Sequence, residues 1–468
     1  MLRVLKKYYP VRKVFFVIGE GAVIYSSILF THWILMWGKP FSSDIRLCLK
    51  IMLITFVCQI CLYYNDLYNL NLTYTLSELG VRLLQALGAA TIFLSGIYFV
   101  FPKVIVGRGI FFAMTLGFAM LFIISWRFCC TVILNSGVFN QKIMILGSGE
   151  LARNISEEVR QRKNCGYELA GITLEDDDDS CFSDEKSRIL LHRKKYDGLC
   201  EIANDLNIRK MVVALRNRRT GFPTKELLEC RISGIDVLEG DSFYEMLTGK
   251  LSVEHINPEW LIFSEGFQKS FFIRSAKRAT DIVLSSVMLF TLLPVIIMTA
   301  VLIKLDSKGP VLFSQERVGE KRRKYKIHKF RSMITDAEKQ SGPVWAKADD
   351  DRVTRVGRFI RQWRVDEIPQ LWNVLKGEMS FVGPRPEREF FVKGLEYIIP
   401  YYSARFTAKP GITGWAQVSY GYGASVKDAI EKLNYDLFYM KNMSLSLDLL
   451  IVLRTVKTVI SGSKSGAR

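Results

Sequence analysis

The sequence lacks a cysteine framework: its nine cysteines are scattered rather than evenly spaced, which argues against a disulfide-stapled secreted fold. Cys58, Cys61, Cys129 and Cys130 lie in or beside apolar runs. Cys58 and Cys61 form Cys-x-x-Cys, yet no second pair or nearby histidine completes a zinc site, so both read as core residues. The first apolar run follows Arg3, Lys6, Lys7, Arg12 and Lys13 and has no small-residue cleavage site. With further apolar runs behind it, it reads as an anchor rather than a removable leader.

At 468 residues the chain is expected to hold more than one domain, since single cores rarely grow past about 250 residues. Hydrophobic residues make up 49% and charged residues 24%, which suits membrane segments joined to soluble parts. Lys and Arg number 64 against 46 Asp and Glu, a net charge of +18 that attracts phosphates and anionic lipid generally. The charge gathers beside apolar segments and on no recognisable reading motif, so nucleic acid is not an expected partner.

Four apolar stretches, Val14 to Gly38, Leu47 to Tyr64, Leu83 to Phe101 and Gly109 to Trp126, are each long enough to cross a ~30 Å hydrocarbon core as helix. Residues 1–135 therefore read as a four-helix transmembrane domain. The basic N-terminus sets the cytoplasmic side, and an even number of crossings returns Arg127 and all that follows to it. Glu20, inside the first span, calls for a partner.

From Lys142 the pattern becomes short β-rich runs alternating with amphipathic helix. Lys142 to Leu146, Glu168 to Thr173 and Met211 to Leu215 read as strands, and Gly147-Ser148-Gly149 as a turn opening a helix. Residues 140–263 thus form a Rossmann-like α/β module, with Gly147, Gly149 and Glu175 as its candidate nucleotide-binding residues. No Tyr-x-x-x-Lys pair follows the glycine turn, which speaks against redox chemistry and for a degenerate, structural module.

A further apolar run, Ile282 to Ile303, is interrupted by Pro294 and flanked by basic residues: Arg274, Lys277 and Arg278 before it, Lys304 and Lys308 after it. Both ends want the same membrane face, so a re-entrant helix over 279–303 is expected rather than a crossing. Beyond it lie Lys329 to Met333, Arg361, Asp366-Glu367 and Gly383-Pro384-Arg385-Pro386. Arginine's planar fork suits phosphate, which makes Arg331, Arg361 and Arg385 candidate diphosphate ligands, with Lys329 beside them as a candidate substrate-binding residue. Pro384 and Pro386 hold Arg385 between two fixed φ angles. Of the two adjacent carboxylates, one can attack phosphorus and the other hold Mg²⁺.

From about Arg274 to the C-terminus the chain resembles the bacterial sugar transferases, the monotopic polyprenol-phosphate phosphoglycosyl transferases. The resemblance rests on Lys277-Arg278 with Asp281, Gly309 to Phe313 with Gln315 and Arg317, Lys329 to Met333, and Arg352-Val353-Thr354 with Gly357-Arg358. It continues through Asp366 to Leu371, Asn373 to Leu375, Met379-Ser380, Val382 to Glu387 and Pro410 to Trp415. The four spans and α/β module before it resemble the long-form members that initiate exopolysaccharide or O-antigen synthesis. Residues 272–468 are then expected to be an α-rich α/β catalytic domain.

The resemblance implies that Asp366 is the nucleophile and Glu367 a magnesium ligand. It also implies a UDP-sugar donor, undecaprenyl phosphate as acceptor, release of UMP, a homodimer, and a place in the bacterial inner membrane with catalysis on the cytoplasmic face. One departure is visible: Arg364-Val365 stands where many members carry Ser-Leu, which bears on local substrate contacts. Two other readings stand beside this one, an NAD-dependent membrane nucleotide-sugar dehydratase or epimerase and an inactive membrane scaffold. Leu445 to Ile460 reads as an amphipathic helix, interfacial or core-packed.

Overall fold

The computed structural model describes residues 2–4, 7–9, 11–35, 45–68, 76–104, 106, 109–135, 140–162, 165–174, 190–192, 196, 198–216, 222–254, 266–335, 351–421, 423 and 425–460. Two compact units divide the chain, Met1–Gly240 and Asp241–Arg468. The sequence reading grouped 140–263 together. In the structure Leu251 and Val253 belong to the core of the C-terminal unit, where the Val253 amide donates to Asn434 Oδ1 at 2.9 Å.

The first unit begins with a short hairpin, β1 (Leu2–Val4) and β2 (Lys7–Tyr9). Four apolar helices follow: α1 (Val11–Leu35), α2 (Ile45–Tyr64), α3 (Leu76–Val100) and α4 (Ile110–Asn135). Ile24, Ile51, Leu62, Leu83 and Ile123 pack between them. Apolar side chains such as Ile18, Met52, Phe56, Ile92 and Phe128 point outward too, the pattern of a membrane bundle whose solvent is lipid. Polar groups turn inward, and the partner that Glu20 called for is Arg127. Glu20 is fully buried, and its Oε1 lies 2.7 Å from Arg127 Nη2. Arg127 was expected just past the last span; it lies inside α4, where its guanidinium donates to Glu20 Oε1 at 2.8 Å and to the Leu67 carbonyl at 2.9 Å. Cys58 and Cys61 are buried and unbridged, as core residues should be.

Behind the bundle comes a parallel sheet of strand order β5-β4-β3-β6-β7, with β3 at Gln141–Leu146, β4 at Tyr167–Leu174, β5 at Leu190–His192, β6 at Lys210–Val213 and β7 at Asp236–Glu239. Helices α5 (Glu150–Gln161), α6 (Leu199–Asp205) and α7 (Thr224–Ile232) connect the strands. Ile143, Met144, Ile145 and Leu146 are all fully buried, as a central parallel strand covered on both faces requires. Helix α5 buries Ala152, Ile155, Ser156 and Val159, one stripe at helical spacing.

The second unit opens with α8 (Gly240–Thr248), followed by α9 (Phe271–Thr291) and α10 (Leu293–Asp306), which meet at an angle of 61°. The break falls at Leu292, not at Pro294. Pro294 occupies the first turn of α10, where no intrahelical donor is needed. Then come the antiparallel hairpin β8 (Leu312–Val318) and β9 (Lys324–Phe330), α11 (Arg355–Gln362), α12 (Gln370–Lys376) and β10 (Ser380–Val382). The unit ends with α13 (Glu389–Ile398), β11 (Gly411–Thr413) parallel to β10, α14 (Trp415–Ser419), α15 (Val426–Asn442) and α16 (Leu445–Ile460). Helix α16 packs into the core through Leu447 and Ile451.

Candidate active site

A sharp reversal builds the site. Helix α11 ends after Gln362, and Arg364 takes left-handed backbone angles, φ 54° and ψ 22°, that turn the chain into a single 3-10 turn, Val365–Glu367. Val365 and Ile368 settle against the apolar cluster of Ile303, Phe330 and Ile360. The two residues between them are thereby held in place, and Asp366 and Glu367 are 8% and 7% exposed.

Glu367 collects cations from β9, from the loop after β10 and from the start of its own turn. Its Oε1 lies 2.8 Å from Lys329 Nζ, at the end of β9, and 3.0 Å from Arg385 Nη2 in the loop after β10, while Oε2 lies 3.6 Å from Arg364 Nη1. Burial, the largest single influence, would raise its pKa, but Lys329, Arg385 and Arg364 together overrule it and hold the carboxyl well below the usual range. Asp366 is pushed the other way, up to about 6, chiefly by burial and then by the charge of Glu367, against the pull of Lys329, Arg361 and Arg385. One carboxylate is thus firmly ionised and its neighbour titrates near neutrality, a separation that suits different tasks.

The remaining sequence candidates divide. Arg361 is close enough to Asp366 to lower its pKa, and its Nε donates to Ser332 Oγ at 2.8 Å. Arg331 is turned away. Its guanidinium donates to the carbonyls of Ser307 at 2.7 Å and Lys308 at 2.9 Å, closing the C-terminal end of α10. Gly147 and Gly149 lie in the other unit, where packing accounts for both: a Cβ on Gly147 would stand 2.3 Å from the Ala214 carbonyl oxygen, and one on Gly149 2.8 Å from Arg216 Cγ. Glu175 lies outside the described residues.

The Pro384-Arg385-Pro386 loop is held from behind, in part by Arg405 and Asp436, which the sequence reading did not single out. Arg405 donates to the Arg385 carbonyl at 2.9 Å and pairs with Asp436 at 3.0 Å, both deeply buried. The Gly411 amide donates to the Pro384 carbonyl at 2.9 Å, and Arg317 to that of Pro386 at 3.4 Å. Asp436 did leave a signal, a lone carboxylate between Tyr435 and Leu437-Phe438 that had to find a buried partner. On α9, Lys277 pairs with Asp448 at 2.8 Å, Arg278 donates to the Leu375 carbonyl at 2.7 Å, and Asp281 accepts from the Phe381 amide at 3.0 Å. These residues tie α9 to α16, to α12 and to the strand that precedes the loop.

Gly383, at the head of that loop, runs so close to the strand beside it that a Cβ would stand 2.3 Å from the Lys409 carbonyl oxygen. Gly383→Ala is therefore expected to cost about 1–3 kcal/mol in chemical unfolding and to lower any activity that depends on Arg385. Unfolding midpoints equal to those of the parent would refute that reading.

Residues 272–462 match the family described as Bacterial sugar transferase. The chain is 43% identical over 236 residues to a UDP-N-acetylgalactosamine-undecaprenyl-phosphate N-acetylgalactosaminephosphotransferase of Aeromonas hydrophila, covering 50% of this chain and 55% of that protein. It is 34% identical to an undecaprenyl-phosphate glucose phosphotransferase of Komagataeibacter xylinus, covering 68% and 59%. With the exopolysaccharide production protein PSS of Rhizobium leguminosarum bv. phaseoli it shares 41% identity over 193 residues, 40% of this chain and 96% of that one. The chain spans little more than half the length of the first two relatives, 55% and 59%, but nearly all of the third, 96%. Its C-terminal unit, with a buried acidic pair ringed by cations, makes this chain a member of the bacterial sugar transferase family.

Proposed function

We propose that this chain transfers a hexose-1-phosphate from a UDP-sugar to undecaprenyl phosphate, through a covalent intermediate on Asp366, as the first membrane step of exopolysaccharide or O-antigen synthesis. The observation that carries the reading is the buried Asp366-Glu367 pair facing Lys329, Arg361, Arg364 and Arg385, in a chain of this family. Asp366 attacks the sugar-linked phosphorus, and the bond from that phosphorus to the bridging oxygen breaks. UMP leaves with the oxygen. A phosphate oxygen of the lipid then attacks the same phosphorus, the aspartyl bond breaks, and the carboxylate is restored as the lipid diphosphosugar departs. The basic side chains hold the diphosphate, and among them Lys329, Arg361 and Arg385 offset the charge that grows on the leaving UMP.

Magnesium fits this site. Glu367 stays ionised, and its counter-charges ride on long, partly exposed side chains that can pass to phosphate oxygens while the carboxylate takes a cation. Mg²⁺ is commonly bound by one or two carboxylates together with substrate phosphates, and when bound it offsets phosphate charge.

The bent pair α9–α10 supports a re-entrant helix, because basic residues flank both of its ends and the positive-inside rule then keeps both ends, and the site, on the cytoplasmic face. The parallel sheet with its glycine turn supports a Rossmann-like module in a structural role. The test is UMP release across a panel of UDP-sugars with undecaprenyl phosphate and Mg²⁺. The panel includes the N-acetylgalactosamine and glucose donors that the relatives' names suggest. No release with any donor would overturn the reading.

Because Asp366 must be ionised to attack, kcat/KM is expected to fall about tenfold for each pH unit below the group's pKa of about 6 and to level off above it. A profile flat down to roughly pH 4.5 would show that Asp366 titrates well below 6 in the working enzyme.

A further inference from the structure

Arg364 is held at a backbone cost. Its φ of 54° lies in the left-handed region, where a β-carbon is crowded and glycine or asparagine sits more easily. Strain of this kind persists beside active sites when the side chain it presents is needed there. The turn alone does not require arginine.

Nor does Glu367 require it. Its Oε1 already accepts Lys329 at 2.8 Å and Arg385 at 3.0 Å, whereas Arg364 approaches Oε2 only to 3.6 Å. The side chain is also 36% exposed, against 22% for Lys329 and 40% for Arg385, so it stands with Arg385 at the mouth of the site. With Arg364 counted, four cationic groups, Lys329, Arg361, Arg364 and Arg385, face the two carboxylates Asp366 and Glu367. The surplus of positive charge that results is complementary to a diphosphate. A guanidinium that is loosely paired, partly exposed and fixed at its backbone is placed to exchange Glu367 for phosphate oxygens, to which it offers a planar fork of donors.

We propose that Arg364 is a donor-binding residue, taking the diphosphate of the nucleotide sugar as its guanidinium leaves Glu367. The inference rests on the function proposed above and adds a specific ligand contact to it. Arg364 then contributes the same interaction in the ground state and the transition state, so its loss raises KM and spares kcat.

The experiment compares Arg364→Gly, Arg364→Met and Arg364→Lys in the full-length, detergent-solubilised protein, with UDP as the binding probe. Arg364→Gly is expected to unfold at the same temperature as the parent or higher, because the strain is relieved. It should nonetheless bind UDP about tenfold more weakly by calorimetry and show a KM for the UDP-sugar raised by about the same factor, with kcat within about threefold. Arg364→Met keeps the length without the charge and should repeat the loss, while Arg364→Lys should recover part of it. Unchanged UDP affinity in both Arg364→Gly and Arg364→Met would overturn the proposal, as would a fall in kcat that tracks a fall in stability. UDP binding is measured apart from turnover, so wild-type protein that binds UDP but releases no UMP would count against the proposed reaction and leave the Arg364 contact standing.

Discussion

Asp366→Asn should reduce UMP release by about three orders of magnitude or more while leaving the fold intact. Asparagine has nearly the same shape and can occupy the same turn. Burial and the adjacent Glu367 already disfavour the charge on Asp366, as its pKa of about 6 records, so a neutral amide relieves both and the variant should be no less stable than the parent at neutral pH. Glu367→Gln is expected to behave differently. There the lost charge is the one that gathers Lys329, Arg364 and Arg385, so activity and thermal stability should fall together. The two variants separate an attacking group from an organising one. Release from Asp366→Asn within about tenfold of the parent would end the covalent mechanism.

The largest effect on stability is expected away from the acidic pair, at Asp436. Its carboxylate is nearly inaccessible and lies 3.0 Å from the equally buried guanidinium of Arg405, which also contacts the Tyr402 hydroxyl. Burial pushes the Asp436 carboxyl up to about 6, so it is ionised at neutral pH, and Asp436→Asn leaves the buried guanidinium without its paired carboxylate, with only the more distant charge of Glu387 to offset it. The expected cost is about 3–5 kcal/mol, a fall of roughly 10 °C in thermal unfolding. Replacing both partners, as Arg405→Met with Asp436→Leu, removes two desolvated charges at once and should restore most of the stability.

Activity should not return with it. Arg405 also donates to the Arg385 carbonyl at 2.9 Å, and no methionine can replace that hydrogen bond. The double variant is therefore expected to fold well and turn over poorly, with the defect read as UMP release at saturating donor. Full activity in a stable double variant would show that Arg385 keeps its position without the Arg405 hydrogen bond.

Much of the membrane part was legible because its physics is one-dimensional. A run of about twenty apolar residues announces a span whatever it packs against, and all four stretches became helices, with ends that differ by several residues. The position of Arg127 was misjudged for the same reason. A charge ends an apolar run in the sequence, but inside a bundle it is tolerated once a carboxylate faces it, and Glu20 stands 107 residues away. Pro294 likewise marked the broken helix correctly, while the break itself fell at Leu292, because proline is well suited to the first turn of the helix that follows.

The acidic pair and the basic residues near it could be named from the sequence, since their chemistry is carried by residue type and by motifs that survive without coordinates. Which of those residues meet was decided only by the fold. Lys329 and Arg331 were both candidates as letters; β9 delivers Lys329 to Glu367 and the chain, two residues on, turns Arg331 to the end of α10. The opposite pKa shifts of Asp366 and Glu367 also depend on burial and on charges brought from separate elements, which no local pattern encodes. The sequence by itself determined that this is a membrane chain with an acidic pair among phosphate-seeking cations. The tertiary structure alone decided which carboxylate carries those cations and which is left buried beside them, because burial and distance exist only once separate segments are folded together.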